Sequence, residues 1–170
     1  MLESIEVSTV LPATPQRLYT AWLNADEHTA MTGGNKAMID PTLGGEHTAW
    51  DGYIWGENFE LEPFSRIVQS WRSAEFPKGS IDSRLEIRFE KVVGGTKLTL
   101  IHSDIPAGQG DDYKSGWDES YFQPMKKYFK PVKKSIVKAA AKRTTKPGQA
   151  KPTSKAKSVA SRAKKTARRK

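Results

Sequence analysis

The sequence predicts an α+β fold in which a curved antiparallel sheet grips a long C-terminal helix. About six short strand-like runs follow one another between turn residues, which predicts consecutive antiparallel strands. A strand and two short helices precede these runs, and one helix with an aromatic face follows them. That aromatic face needs a sheet to cover. We therefore expect a folded domain over residues 1–130 and a tail over residues 131–170.

The first 31 residues predict one strand and two short helices. Residues 2–11 alternate apolar and polar side chains in the manner of a half-buried strand. Thr14 can cap a helix whose first position is Pro15, and apolar side chains recur at helical spacing from there to about residue 23. Residues 26–31 predict another turn or two of helix.

Glycine and proline divide the middle of the chain into short segments with strand character. The clearest hairpin turns at Gly94 and Gly95, because apolar residues alternate with charged or polar residues on both sides of this pair. The predicted strands are KAMID, GEHTAWDG, YIWGENFELEP, RIVQSWRS, SRLEIRFEKV and TKLTLIHSDI.

The last predicted element is a helix that runs to Phe129. Asp111 or Asp112 can cap it, and Pro124 predicts a kink because proline lacks a backbone N–H. The residues that share one face are Trp117, Tyr121, Met125 and Tyr128 or Phe129.

Charge divides the chain into two unlike segments. The 170 residues contain 28 basic and 19 acidic side chains, for a net charge of +9. Residues 1–130 hold 13 of the basic side chains and all of the acidic ones, whereas residues 131–170 hold 15 basic and no acidic side chains. The sequence therefore predicts an acidic domain joined to a wholly basic tail.

Several classes of protein are excluded or disfavoured by composition. The absence of cysteine excludes disulfides, thiolate zinc sites and cysteine nucleophiles, and it fits a reducing compartment. The N-terminus carries an acid where a signal peptide would be basic, and no apolar run approaches the roughly 20 residues of a membrane span. We expect a soluble protein in the cytoplasm.

The order of these elements and several of their residues resemble the START-like (SRPBCC) superfamily, and in particular the family of homologues of the activator of heat-shock protein ninety ATPase. Gly116 and Trp117, followed by an aromatic helix, form the most specific part of the resemblance. The resembling segments are PATPQRLYTAWLN, LGGEHTAWDGYIWGENFELEP, RIVQSWR and HSDIPAGQGDDYKSGWDESYFQPMKKYF.

The resemblance implies a helix-grip fold with a cavity between the sheet and the terminal helix. Members of the superfamily bind lipids, polyketides or hormones, catalyse reactions, or assist chaperones, and the fold alone does not choose among these functions. The family takes its name from a cochaperone that has a separate amino-terminal domain. We expect no such companion domain in this sequence, so the resemblance alone does not imply chaperone activation.

Aromatic residues supply the candidate lining of such a cavity. Apolar pockets with a few polar groups suit small amphipathic molecules, and the hydroxyls of Tyr53 and Tyr121 could orient a ligand. The alternative interpretation is that the aromatic residues form an ordinary solid core. The candidate lining residues are Trp55, Phe59, Trp71, Phe89, Trp117, Tyr121 and Met125; Trp50 could also face the cavity.

The sequence offers little that indicates catalysis. His28, His47 and His102 lie at no metal-ligand spacing, so we predict neither a metal site nor a cofactor. His102 and Asp104, two apart at a strand end, could do acid-base chemistry if they reached a pocket, although rim positions are the simpler interpretation. No nucleotide-binding, hydrolase or metalloprotease motif is present, so we assign no catalytic residue. Four further carboxylates could serve as a base if buried: Asp51, Glu57, Glu60 and Glu62.

The tail is built from Lys, Arg, Ala, Ser, Thr and Pro, and we expect it to be disordered because it has too little apolar surface to bury. Its composition resembles the tails of linker histones and of lysine- and alanine-rich bacterial nucleoid proteins, with the clusters KAAAKR and AKKTARRK. The resemblance and the charge indicate DNA or RNA binding. The candidate residues are Lys133, Lys134, Lys138, Lys142, Arg143, Lys155, Lys157, Arg162, Lys164, Lys165, Arg168, Arg169 and Lys170.

Other partners for the tail remain open. An acidic protein, an anionic membrane surface or a localisation receptor for residues 164–170 would also recognise positive charge. Membrane binding is disfavoured because the sequence has no cysteine that could carry an acyl anchor. In a bacterial host, the tail predicts association with the nucleoid.

Three functional hypotheses follow. The first is a non-enzymatic module that binds a small apolar ligand or a chaperone and is tethered to nucleic acid by its tail. The second is a cochaperone that stimulates the ATPase of a heat-shock protein ninety chaperone. The third is an enzyme that uses the cavity for acid-base chemistry, with His102 or a buried carboxylate as the base.

Overall fold

The computed structural model describes residues 1–130, and the predicted tail over residues 131–170 lies outside them. The described part has the predicted α+β architecture of a seven-stranded antiparallel sheet with helices at both ends of the chain. Among residues 1–130, no helix is both long enough and apolar enough to cross a membrane. The strands are β1 (Glu3–Leu11), β2 (Met38–Ile39), β3 (Glu46–Ala49), β4 (Ile54–Glu62), β5 (Arg66–Ser73), β6 (Ser83–Val92) and β7 (Gly95–Ile105). The helices are α1 (Pro15–Leu23), α2 (Ala25–Met31), α3 (Gly110–Gly116), a π-helical segment (Trp117–Phe122) and α4 (Gln123–Tyr128).

The sheet is a meander from β2 to β7, with β1 added at the β7 edge. Its strand order is β1-β7-β6-β5-β4-β3-β2, and every neighbouring pair is antiparallel. Ile67, Ile87 and Leu100 are cross-strand partners on the inner face, and all three are fully buried. The predicted hairpin at Gly94 and Gly95 is confirmed, because Val92 pairs with Gly95.

Both predicted N-terminal helices are present, and side chains cap them. The Arg17 backbone N–H donates to Thr14 Oγ1 (3.2 Å), and Pro15 occupies the first helical position, as expected. The Glu27 backbone N–H donates to Asn24 Oδ1 (2.9 Å) at the start of α2. The Arg17 guanidinium also binds the Glu27 carboxylate at 2.5 and 2.6 Å, which fixes the angle between the two helices.

The C-terminal helix is irregular next to Pro124. Residues 110–128 are helical throughout, but the Gln123 N–H donates to the carbonyl of Asp118, five residues earlier, in place of the usual four. Pro124 has no N–H to continue the α-helical ladder, so the predicted irregularity takes the form of a π-helical segment. The predicted cap is wrong, because Asp111 and Asp112 lie inside the first turn and the cap position is Gln109.

The outer face of the sheet is held by an ion-pair network centred on Glu86. This carboxylate is 5% exposed and accepts bonds from Arg66 (2.9 Å), Arg84 (2.9 Å) and Arg88 (2.7 Å). Burial alone would raise the pKa of Glu86, but the three guanidinium groups outweigh it and lower the pKa to about 2. Strands β5 and β6 are therefore joined on the outer face by charge and on the inner face by apolar packing.

Candidate ligand cavity

A cavity of about 470 Å³ lies between the sheet and the C-terminal helix. Its walls are mainly aromatic. The β3–β4 turn contributes Trp50 and Tyr53, β5 contributes Trp71, and the C-terminal helix contributes Tyr113, Trp117 and Tyr121. The remaining lining includes Glu75, Gln109, Asp112 and Ser120.

The aromatic rings pack against one another around the space. The centroid of Trp71 lies 5.0 Å from that of Tyr113, with the rings edge to face, and 5.8 Å from that of Trp117. Trp117 and Tyr121 are 4.7 Å apart. Such pairs add about 0.5–1.5 kcal/mol each beyond simple burial, so the wall is rigid.

The π-helical segment sets the helical side of the cavity. Gly116, at the end of α3, lines it together with Trp117, Ser120 and Tyr121 of the segment, and these four positions share one face of the helix. π-Helical turns inside α-helices occur frequently at functional sites. Here the turn contributes Trp117, Ser120 and Tyr121 to the lining of the same space.

Trp50 occupies a strained position at the edge of the cavity. Trp50 and Asp51 both have φ of 56°, the left-handed region that residues other than glycine rarely adopt. The buried indole N–H of Trp50 has no hydrogen-bond partner among the described residues. The indole still lies near the Tyr121 hydroxyl, because burial raises the pKa of that hydroxyl and a hydrogen-bond interaction with Trp50 partly offsets the rise. Strained backbone of this kind is concentrated at functional sites.

A closed ring of hydrogen bonds borders the cavity where β5 meets α3. The Gln109 amide donates to the Glu75 carbonyl (2.9 Å), so its oxygen is the group that accepts from the Tyr113 hydroxyl (3.2 Å). Ser73 Oγ, 2.7 Å from that hydroxyl, then donates to it and accepts from the Glu75 N–H (3.2 Å). The ring holds the loop after β5 against the helix.

The inner end of the cavity is polar. A smaller void of about 10 Å³ shares Ile54, Trp71, Trp117 and Tyr121 with the main cavity and touches His28, His47 and Gln69. His28 Nδ1 donates to the Trp22 carbonyl (2.9 Å), so Nε2 faces the Tyr121 hydroxyl at 3.4 Å. Gln69 accepts from the Trp22 indole (3.2 Å) and donates to Asn58 (2.7 Å).

His102 is a structural residue in this geometry. It is fully buried and lines neither space. Its Nδ1 accepts from the Trp117 indole N–H (3.2 Å), which places the proton on Nε2. Nε2 then donates to Ser83 Oγ (2.7 Å), and that hydroxyl donates to the Trp71 carbonyl (2.6 Å). The suggested pairing of His102 with Asp104 at a pocket is therefore wrong, and so is the rim position expected for His102, because that side chain is fully buried.

The four other candidate carboxylates also lie away from the cavity lining. Glu60 and Glu62 bind Arg66 at 2.6 and 3.0 Å on the outer face of the sheet. Asp51 accepts from the Lys36 backbone N–H (3.2 Å), and Glu57 is exposed. Among residues 1–130, no three His, Asp or Glu side chains come close enough together to hold a metal ion.

The structure brings together three of the seven residues predicted to line the cavity: Trp71, Trp117 and Tyr121. Phe89 and Met125 are buried in the core outside the cavity lining. The candidate tail residues lie outside the described part of the chain.

The placement of Trp55 and Phe59 in the cavity is wrong. Their side chains are 40% and 51% exposed on the outer face of β4, because Ile54, Gly56 and Asn58 are the inward positions.

Sequence reasoning missed several lining residues. Tyr113 lies four residues before Trp117, so the helical spacing that identified Trp117 and Tyr121 extends to it. Glu75, Gln109 and Asp112 come from exposed polar segments with no periodic signal.

Comparisons with known proteins agree with the fold. Residues 12–130 match the family described as Activator of Hsp90 ATPase homolog 1-like protein. The human Activator of 90 kDa heat shock protein ATPase homolog 1 is 28% identical over 116 residues, which are 68% of this chain and 34% of the relative. The corresponding activator homolog of Dictyostelium discoideum is 26% identical over 130 residues, 75% of this chain and 33% of the relative. This chain thus spans about one third of the length of these curated relatives.

A solved structure of similar size is also related. The crystal structure of an HSP90 activator from Plasmodium falciparum superposes with a TM-score of 0.68 at 26% sequence identity. The superposition covers 74% of this chain and 94% of the other.

The three buried histidines predict a specific loss of stability in mild acid. Burial lowers the pKa of His28 and of His47 to about 4 and that of His102 to about 3, from the ordinary value of 6.5. Below about pH 6.5 the histidines of the unfolded chain bind protons, whereas those of the folded chain stay neutral. The free energy of unfolding should therefore fall between about pH 7 and pH 5, with a slope approaching roughly 1.4 kcal/mol per pH unit for each histidine. Denaturant titration followed by tryptophan fluorescence measures it.

Matched variants separate this effect from that of the carboxylates. His47→Gln should reduce the slope of the unfolding free energy against pH between about pH 7 and pH 5, because one histidine fewer takes up a proton on unfolding. Glu86→Gln should lower stability without changing that slope, since the contribution of a carboxylate with a lowered pKa is lost only below about pH 4.5. A stability that is flat between about pH 7 and pH 5 would contradict the burial of neutral histidines.

Proposed function

This chain belongs to the family of Activator of Hsp90 ATPase homolog 1-like proteins, and from that premise we propose that its folded part is a binding module whose cavity takes a small, largely apolar ligand. The observation that carries the proposal is the aromatic cavity between the sheet and the C-terminal helix. Ligand pockets are typically apolar spaces of about 300–1,000 Å³ with a few polar groups that fix orientation. The cavity of about 470 Å³ falls within that range.

The geometry favours a ligand site over an ordinary solid core. Protein interiors pack at the density of organic crystals and leave few voids larger than a water molecule. The rings of Trp71, Trp117 and Tyr121 pack closely with one another and still border open space. Aromatic side chains would collapse into such a space unless the backbone and the bonded ring at Ser73 and Tyr113 held them apart.

The alternative of an acid-base enzyme receives less support. Both ring nitrogens of His102 are bonded to protein groups, and burial keeps it neutral. The carboxylates that line the cavity, Glu75 and Asp112, are exposed to solvent.

A substitution that fills the cavity should abolish binding of an apolar probe. In Ser120→Phe a ring enters the space from the helix without removing a core contact, since Ser120 lines the cavity and is only half-buried. We expect the neutral fluorophore N-phenylnaphthylamine to bind the wild-type chain and to bind Ser120→Phe about tenfold more weakly or less, a difference of about 1.4 kcal/mol. Fluorescence titration measures it.

Glu119→Phe is the matched control, because Glu119 is the exposed neighbour on the same helix and does not line the cavity. It adds the same ring and should leave probe affinity unchanged. Thermal melting of both variants checks that they fold. Equal binding by both variants, or no binding by the wild-type chain, would refute the cavity as the site.

Stimulation of an Hsp90 ATPase is a second candidate function. The observation that favours it is that two curated relatives and one solved structure are named as activators of this chaperone. The match to this chain covers 94% of the solved structure. We expect the full chain to raise the rate of ATP hydrolysis by an Hsp90 chaperone. The Ser120→Phe variant should stimulate as well as the wild-type chain if contact is made by the surface alone. No stimulation at saturating concentration would exclude this function.

We also propose that the basic tail tethers the chain to DNA or RNA, which in a bacterial host would place it at the nucleoid. Support comes from 15 basic and no acidic side chains over residues 131–170. Such binding depends on counterion release. If six to ten phosphates are contacted, affinity should fall by about 10³–10⁵ between roughly 50 and 200 mM salt.

The matched comparison is a chain that ends at Lys130, which keeps the whole hydrophobic core. It should not bind duplex DNA or RNA, since residues 1–130 carry more acidic than basic side chains. Fluorescence anisotropy across a salt series measures both chains. Equal binding by the two chains, or binding by neither, would contradict the tether and direct attention to acidic proteins and membranes.

A further inference from the structure

The charge of the cavity lining is one-sided. Glu75 and Asp112 contribute two carboxylates, and no lysine or arginine of residues 1–130 lines the space. Arg72, on the strand just before Glu75, is directed elsewhere, because its guanidinium binds Asp82 and the Ser80 carbonyl and lies over the Phe76 ring. A ligand in this cavity therefore meets negative charge and no positive charge from the lining.

The two carboxylates act on the same part of the cavity. Burial raises the pKa of the Tyr113 hydroxyl, the hydrogen bond with Ser73 lowers it, and the smaller effects of the charges of Glu75 and Asp112 raise it. Both carboxylates therefore lie within electrostatic range of one hydroxyl on the cavity wall. Glu75 belongs to the loop after β5 and Asp112 to α3, and both line the same cavity.

The aromatic walls of the cavity also favour a positively charged ligand. The face of an aromatic ring carries negative electrostatic potential and attracts a cation placed over it, and tryptophan does so best. Three tryptophans and three tyrosines line this space: Trp50, Tyr53, Trp71, Tyr113, Trp117 and Tyr121. Aromatic cages of this kind suit alkylated ammonium groups, which are too weakly hydrated to resist leaving water.

The Trp50 indole closes one side of the space, and its N–H is buried within the protein. The cavity thus has places for an aromatic or aliphatic body against the rings and for one cationic head beside the carboxylates.

We propose that the ligand of this cavity is an organic cation, an alkylated ammonium group joined to an apolar body. The inference rests on the proposed function, since it names the class of ligand for the same site. It also implies that carboxylates and phosphates are rejected, because the cavity lining offers them two like charges.

The test compares two compounds of the same shape that differ only in charge. Meta-hydroxyphenyltrimethylammonium and its neutral isostere, meta-tert-butylphenol, are titrated into the full wild-type chain by calorimetry and by quenching of tryptophan fluorescence. We expect the cation to bind about tenfold more tightly or better, from cation–π contacts and two carboxylates together.

Variants of the carboxylates locate the effect. Glu75→Gln with Asp112→Asn should reduce the preference for the cation about threefold or more and leave the affinity of the neutral isostere nearly unchanged. The bonded ring at the cavity survives these changes, because it uses the backbone of Glu75. Asp111→Asn removes one charge at the adjacent position, which does not line the cavity, and should leave the preference intact.

The outcomes distinguish a failure of the cation inference from a failure of the proposed ligand-binding function on which it rests. If N-phenylnaphthylamine binds and the two isosteres bind equally, or the neutral one binds more tightly, the cavity stands and the cation inference is overturned. A preference that survives in the double carboxylate variant assigns it to the rings alone and overturns the role of Glu75 and Asp112. If neither the isosteres nor the neutral fluorophore binds, the ligand site itself is refuted.

Discussion

The attachment of the C-terminal helix to the sheet at His102 is the constraint on which the rest of the structure depends. The Trp117 indole N–H donates to one ring nitrogen of His102, and the other nitrogen is bonded to Ser83, whose hydroxyl reaches the Trp71 carbonyl. The chain of bonds crosses from helix to β7, β6 and β5 in a region from which water is excluded. It holds only while the imidazole is neutral, and burial keeps it so.

The cavity follows from this attachment. With Trp117 fixed to the sheet, the helix cannot move inward to close the space beside it, and the bonded ring at Ser73, Gln109 and Tyr113 holds the next turn of the helix. The π-helical segment then turns Tyr121 toward His28 and Trp22 at the inner end. Polar bonds, which have fixed lengths, thus keep apart aromatic groups that hydrophobic collapse alone would bring together.

Much of the fold could be predicted from the sequence, because its signals are local. Thr14 and Pro15 mark a helix start by capping geometry, and Gly94 and Gly95 mark a hairpin by backbone freedom. The facing of β4 could not be predicted, because its more apolar positions point outward. The inward position 56 must be glycine, since a Cβ there would lie 2.0 Å from the Ser70 carbonyl oxygen, and Asn58 faces inward and donates to the carbonyls of Asp40 and Thr42.

The parts of the site that escaped prediction share a physical cause, which is contact between residues distant in sequence. The strain at Trp50 depends on a turn whose φ angles no composition reveals. Glu75 and Asp112 are 37 positions apart in sequence. They line one cavity only because the fold brings the loop after β5 close to α3.

The opposite charges of the two segments limit what each can bind. Residues 1–130 hold all 19 acidic side chains and 13 basic ones, and the carboxylates at the cavity belong to this excess. An anion near the chain gains more from the 15 unopposed charges of residues 131–170 than from a cavity bordered by carboxylates. A cation is instead attracted by the carboxylates at the cavity and repelled by the basic side chains of residues 131–170. The same division of charge that would commit the tail to phosphates therefore leaves the cavity to neutral or positively charged molecules, and the two binding activities would not compete for one ligand.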